Sequence, residues 1–432
     1  MIEDPSRFRA LRDALAASGE TAGKAVRFFS VPGRAELCGN HTDHNGGKAL
    51  AVAVGLDALA AVTPRDDNIV FLRSIGRKAF GASGFPDVCI NLTNLAPRAN
   101  EQGTTDALLR GVAAGLAARG QRIGGWTAVM DNRVLPGSGL SSSAVVEVLA
   151  AKISDCLYSE GNLPAVELAK IAQKAENDYY GKPSGLMDQS AAAIGGTVAF
   201  DFGGAELEWT RFDFAPERDG YTLCVVNTGG NHASLTPHYA ACAAEMREVA
   251  AVLGAENLRQ AGRAAFEAAI ADSERAAALR KTAGDRAILR AMHFFAENER
   301  VDAFCAAIAA LNAAEGQARR GIFTRILGIV NDCADSSWEL LGNCYPPDTP
   351  RDSGIPLALA LTRDFARARD IKAACRLQGG GFAGTIQTYI PNEHIPAYTH
   401  TCEAVFGPHC VTPLTLRSEG AVELTQSAEC FL

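Results

Sequence analysis

The chain has 432 residues, 47% of them hydrophobic and 21% charged, which is the composition of a globular protein large enough for two or three domains. Its 41 basic and 49 acidic side chains give a formal net charge of −8, and no dense Lys/Arg run supplies the basic face that a phosphate backbone requires, so nothing favours a nucleic-acid partner. The twelve cysteines are scattered without CxxC or paired spacing, a pattern of free buried thiols in a reducing cytoplasm rather than of a disulfide framework.

In chain order, residues 1–20 read as a helix with a polar face. They are charged from Glu3 onward and hold no uninterrupted apolar stretch, so no secretory signal is expected and the location expected is cytoplasmic. Residues 31–47, VPGRAELCGNHTDHNGG, crowd together small, polar and ionisable groups. Such a density is hard to bury as plain core, because every buried polar group needs a partner. It suits a polyol, whose hydroxyls both donate and accept; a Gly/Asn surface turn is the plainer reading. His41, Asp43 and His44 also invite a metal, but no further His/Cys pair with zinc spacing accompanies them. Residues 48–63 form either a buried strand pair or a helix, which periodicity alone does not decide. The apolar part of that run, 49–62, is broken by Gly55 and Asp57 and is too short to span a bilayer. Leu108, Leu109, Val112 and Leu116 predict a helix over 104–118, and 126–134 reads as a strand.

That strand runs into residues 135–144, LPGSGLSSSA, which open a helix predicted over 142–157. A helix start presents unpaired N–H groups, and glycines let phosphate oxygens approach the backbone. The loop is neither GxGxxG nor GxxxxGK[ST]; on its own it is equally a glycine turn with a serine N-cap. A helix over 165–180 follows, then ENDYYGKPSGLMDQ at 176–189, which sets Asp188 among small and apolar neighbours. There a carboxylate could orient or deprotonate a hydroxyl, or simply cap a helix over 189–194. Strands are predicted at 197–202 and 221–227, with a linker at 203–220. Ala-rich helices are predicted at 239–253, 262–282 and 302–314. Finally RLQGGGFAG at 376–384 precedes a strand over 385–390; its glycines let the backbone approach a ligand or another segment. Helices interleaved with few strands in both halves indicate an α+β architecture.

In this order and spacing, the four segments resemble the galactokinases of the GHMP small-molecule kinase superfamily, over roughly residues 30–390. That family carries a GRxNLIGEHTDYN-like sugar signature, a PxGxGLSSSA phosphate loop, a GxMDQ segment and a GGGFGG loop. Val225–Asn227 with His238 and Tyr239, and Arg286 and Ala287 with His293 and residues 297–300, add to the match. The resemblance implies a two-domain GHMP kinase-like fold: an N-terminal α+β domain over 1–205 and a ferredoxin-like C-terminal domain over 206–432, with ATP and sugar in the cleft. It implies that Asp188 is the catalytic carboxylate with Arg34 beside it. Asp43 would hold ring hydroxyls, Tyr239 would contact the sugar, and His41 would stand near its C6 end. Gly137, Ser138, Gly139, Leu140, Ser141, Ser142 and Ser143 match the ATP loop, and Ser143 (or Ser142) with Glu176 the Mg²⁺ neighbourhood.

Three departures from the family pattern matter. Asn40 stands where the signature has Glu, Pro136 directly precedes Gly137, and Ala383 replaces a glycine of the last loop. With an amide in place of a carboxylate at residue 40, a looser grip on the C6 hydroxyl is expected. The expected reaction is phosphorylation of galactose by ATP at C1. Alternatives are a related sugar 1-kinase acting on an amino, 6-deoxy or uronic sugar, and a non-catalytic galactokinase-like sugar sensor. The intact serine loop with Arg34 and Asp188 favours an enzyme.

Overall fold

The computed structural model describes residues 4–19, 24–75, 86–134, 137, 139–230 and 235–429. Its first sheet is organised around one long strand. β1 (Arg27–Cys38) pairs antiparallel with β2 (Lys48–Pro64) along nearly its whole length. On its other edge β2 changes partner midway. Residues 48–52 pair with β6 (Thr197–Asp201), and residues 58–64 pair with β5 (Trp126–Asn132). The run at 48–63 is therefore a single strand, neither a pair nor a helix. Its periodicity is silent because both faces are covered and almost every residue is buried. β3 (Ile69–Ser74) and β4 (Val88–Asn91) extend the sheet beyond β5.

Asp57, which interrupts the apolar run, is a buried junction. It accepts from Arg7 Nη1 and Ser30 Oγ at 2.5 Å each and from Arg417 Nη1 at 3.2 Å. The carboxylate thus ties β2 to helix α1 (Pro5–Ala16) and to the chain's closing segment, and a buried charge paired in this way does not stand alone.

Helices α2 (Thr105–Ala118), α3 (Ser142–Tyr158), α4 (Ala165–Ala175) and α5 (Met187–Ile194) pack beside this sheet. The predicted linker at 203–220 instead holds strand β7 (Glu208–Phe212), paired in register with β6. Exposure of its residues hides the signal. β7 and β12 (Val422–Glu423, on β1) both lie past residue 205, so the first sheet draws strands from each side of the expected domain boundary.

The second sheet is antiparallel, in the order β11 (Val411–Pro413), β8 (Tyr221–Asn227), β10 (Thr385–Pro391), β9 (Ala374–Gln378). α6 (Thr236–Val252) packs on the helix Asp285–Asn312, which meets β1 and β2, while the helices Gly316–Ser336 and Gly354–Ala368 pack on this second sheet. The helix expected at 302–314 is the second half of Asp285–Asn312, and the two on the second sheet are absent from the sequence-based expectations. The stretch 262–282 divides at Asp272, whose side chain accepts from Arg275 N–H and starts a new helix. The described cysteines are free and mostly buried, and no described helix is long and apolar enough to cross a membrane.

Candidate active site

The glycine loop is held from below by the sugar segment. β1 is irregular between Pro32 and Arg34, and there Arg34 N–H donates to Leu140 O at 3.2 Å. Gly137 and Gly139 have φ of 75° and 70°, a region that costs glycine nothing. A Cβ at Gly139 would stand 2.4 Å from Thr385 Oγ1, so the loop also needs glycine to pack on β10. Leu140 is buried beneath it, and Ser138 lies outside the described residues. Ser141 takes φ 65° and ends the loop, with α3 starting at Ser142. Ser142 and Ser143 occupy the first turn, whose N–H groups have no acceptor within the helix.

Ser141 does not cap α3 with its side chain. Its hydroxyl donates across the cleft to Asp188 Oδ2 at 2.6 Å. Arg34 takes the other oxygen, with Nε at 2.8 Å and Nη2 at 2.5 Å from Oδ1, while its Nη1 donates to Gly139 O. Asp188 lies in the first turn of α5 and caps nothing: the residue before that helix is Leu186. Burial pushes the Asp188 carboxyl up, but the Arg34 charge and the Ser141 and Arg34 hydrogen bonds outweigh it, so Asp188 is held below the usual carboxylate value.

A second carboxylate stands behind the loop. α4 ends in a π-turn over Glu176–Tyr180, and Glu176 at its start is buried. Glu176 Oε1 accepts from Ser143 Oγ and Lys182 Nζ, both at 2.9 Å, and Oε2 accepts from Gln189 Nε2 at 2.9 Å. Burial raises its pKa, yet Lys182 and its hydrogen bonds bring it below the ordinary glutamate value. Gln189 spends its other donor on buried Glu147 at 3.1 Å, where burial and the neighbouring Glu176 push the carboxyl well up. Ser143 and Glu176 form an all-oxygen donor set of the kind a hard divalent cation takes, with an ionised carboxylate at its centre, so they fit Mg²⁺.

The sugar segment closes the cleft. Asp43 accepts from His44 N–H at 2.9 Å and Met187 N–H at 3.4 Å. Burial, then the nearby Asp188 charge, raise it to about 6. His41 and His44 bond each other, Nδ1 to Nε2 at 3.2 Å, and do not converge on an ion. Asn45 donates to His44 Nδ1 at 3.0 Å, and His41 Nε2 lies 2.9 Å from Gly380 O. One tautomer set satisfies all three contacts: each ring donates from Nε2 and accepts at Nδ1. Burial holds both imidazoles below the usual histidine pKa, so they stay neutral. Tyr239 lies on the same wall, its ring stacked over His41 at 6.5 Å and its hydroxyl donating to Gly381 O at 3.2 Å.

The structure thus gathers Arg34, Asp188, Ser141, Ser143, Glu176, Asp43, His41 and Tyr239 around one cleft. Asn40 is the correction. It is 1% exposed and its amide hydrogens go to Glu36 and Gly379 O, leaving no donor for the C6 hydroxyl that the sequence assigns to it. Sequence reasoning also missed the supports. His293 Nε2 meets Asn40 O at 2.8 Å, and Glu297 Oε1 accepts from Gly39 N–H at 3.0 Å and Asn40 N–H at 3.4 Å. Both belong to a segment that the resemblance marks without giving it a role. Lys182 and Gln189 lie inside the 176–189 segment but were given no role there, and Asn343 carries no local pattern that would have singled it out.

The model of the galactokinase galactose-binding signature matches residues 19–64, and that of the GHMP kinase N-terminal domain matches residues 107–196. A galactokinase of Streptomyces coelicolor is 31% identical over 383 residues, 88% of each chain, and one of Lactococcus lactis is 25% identical over 412 residues, 94% of this chain and 93% of that one. Among solved structures, Lactococcus lactis galactokinase complexed with galactose superposes with a TM-score of 0.73 at 23% identity, covering 95% of this chain and 99% of that one. A more distant neighbour is L. major mevalonate kinase in complex with R-mevalonate, with a TM-score of 0.56 at 14% identity, covering 92% of this chain and 98% of that one.

Proposed function

The chain belongs to the galactokinase family of the GHMP kinases, and we propose that it moves the γ-phosphoryl group of ATP onto the C1 hydroxyl of galactose. The observation that carries this reading is the Arg34–Asp188–Ser141 cluster, which joins the sugar segment to the phosphate loop. In the reaction the bond from the γ-phosphorus to its bridging oxygen breaks, a bond from that phosphorus to the sugar oxygen forms, and ADP leaves.

Phosphoryl transfer passes through a loose transition state in which the attacking hydroxyl needs little deprotonation beforehand. Asp188, held below the usual carboxylate value, suits that demand. It orients the hydroxyl as an acceptor and takes its proton as the new O–P bond forms. Arg34 keeps the carboxylate ionised and places positive charge beside the growing negative charge. The first turn of α3 receives the phosphate oxygens on its N–H groups. Ser143 and Glu176 would hold Mg²⁺, which when bound neutralises phosphate charge. Asp43 accepts from ring hydroxyls, and Tyr239 with the neutral His41 ring walls the sugar.

ATP consumption measured with galactose, an amino sugar, a 6-deoxy analogue and galacturonate tests the reading. Galactose-dependent ADP release with formation of galactose 1-phosphate is expected. Sugar binding without turnover would favour the sensor, and turnover on another sugar alone would reassign the substrate.

A further inference from the structure

Two positions of the sugar signature are exchanged in this chain. The signature GRxNLIGEHTDYN has Asn at its fourth position and Glu at its eighth; the aligned residues here are Glu36 and Asn40. In the structure these two side chains face each other. Asn40 Nδ2 lies 3.0 Å from Glu36 Oε1 and 3.3 Å from Oε2, with both residues buried.

Each partner also reaches across to the second sheet. Glu36 Oε1 meets Arg376 Nη2 of β9 at 2.5 Å, and Glu36 O accepts from Arg376 Nη1 at 3.0 Å and from Gln387 of β10. Asn40 Nδ2 donates to Gly379 O at 2.8 Å, and Asn40 Oδ1 accepts from Asn343 Nδ2 at 2.8 Å. The next two carbonyls are taken in series, Gly380 O by His41 and Asn343, and Gly381 O by Tyr239. The glycine triplet is therefore fastened to the sugar segment through the Gly379 and Gly380 carbonyls, and to α6 through that of Gly381. This explains why the backbone must come close there: a Cβ on Gly380 would stand 2.6 Å from the Tyr239 ring, and one on Gly381 would stand 2.3 Å from Asn343 O.

We propose that Asn40 is a positioning residue that latches the 379–381 loop to the sugar segment, and that Glu36 carries, against Arg376, the charge that the signature places at residue 40. The chemistry of the two groups requires the exchange to be reciprocal. A carboxylate cannot donate, so Glu at residue 40 would face the Gly379 carbonyl with nothing to offer it. It would also stand beside Glu36 with one guanidinium to share, in a site from which water is excluded. Asn at residue 36 alone would leave buried Arg376 without its carboxylate.

A double-mutant cycle tests this, using Asn40→Glu, Glu36→Asn and both together, with Asn40→Ala as the latch deletion. Each single charge variant is expected to lower the melting temperature, and the pair to recover most of that loss. Kinetically, a latch that touches no reacting atom moves KM rather than kcat. Asn40→Ala should raise the KM for galactose about tenfold, keep kcat within about threefold, and leave the preference for galactose over its 6-deoxy analogue unchanged. The kinetic arm rests on the galactokinase reading. The thermal arm does not, so an inactive wild type would sink the former and leave the latter standing as a test. Losses in the two single variants that simply add in the pair would overturn the proposal. So would an Asn40→Glu protein of full stability that discriminates more sharply at C6.

Discussion

Ser141, the last residue of the glycine loop, donates its hydroxyl to Asp188 Oδ2 at 2.6 Å. The glycine loop and the Asp188 carboxylate are thus tied to each other directly.

The first prediction follows from that bond. Asp188→Asn keeps the shape but loses the acceptor charge, and turnover should fall by about 10² to 10⁴ in a chain that still folds. Ser141→Ala removes one of the hydrogen bonds that hold Asp188 below its ordinary value. The folded-state pKa then rises, so the acid limb of the kcat–pH profile should move to higher pH, with turnover down by about tenfold. An acid limb that stays in place would separate Ser141 from the carboxylate.

How much of this was legible in the sequence depended on whether a residue's partners were near it in the chain. The helix at 142–157 and the strands at 197–202 and 221–227 show in local pattern, and the structure has them within a residue or two. The strand Lys48–Pro64 does not, because burial on both faces erases alternation. The same limit governed the site. Arg34 and Asp188, 154 residues apart, could be paired only through resemblance. Asn40 was misassigned because its partners Gly379 and Asn343 lie more than 300 residues away, and nothing local shows that its amide is already spent.

The second prediction concerns the cation. Glu176 accepts from Ser143, Lys182 and Gln189, and as the ionised member of the donor set it should dominate Mg²⁺ affinity. In Glu176→Gln the Mg²⁺ concentration for half-maximal activity should rise by at least about tenfold, with the KM for galactose nearly unchanged. Titration of initial rates with Mg²⁺ at saturating ATP checks this. An unchanged Mg²⁺ requirement would move the cation elsewhere.

The third prediction is a pH dependence. Burial and Asp188 raise Asp43 to about 6. Between the ordinary aspartate pKa and about 6, the folded chain holds a proton that the unfolded chain has released. This group's contribution to stability is therefore largest at the acid end and is lost as pH rises through about 6. Sugar binding through Asp43, as proposed, runs the other way, since the ionised carboxylate is the stronger, charge-assisted acceptor for ring hydroxyls. The kcat/KM for galactose should fall as pH drops below about 6, and that limb should vanish in Asp43→Asn. A limb that survives the substitution belongs to another group.

The last prediction uses Gly185, a residue with no chemistry of its own. A Cβ built there would lie 1.7 Å from Asp43 Oδ2 and 2.6 Å from Oδ1, far inside contact distance. Its backbone is not in the left-handed region, so alanine meets no conformational barrier, and the nearest conflict is with that carboxylate. Asp43 cannot yield easily, because Met187 and His44 N–H groups hold it from the same side. Gly185→Ala must therefore displace either Asp43 or the loop leading to Asp188, and both lie on the sugar side of the cleft. Glu176 is held by Ser143, Lys182 and Gln189 and does not share this contact. The KM for galactose should rise by at least about tenfold while the KM for ATP stays within about twofold. Steady-state kinetics with each substrate varied in turn checks this. Equal losses for both substrates would mean that the sugar and nucleotide sides do not yield independently, and unchanged kinetics would mean that Asp43 is not fixed against this loop.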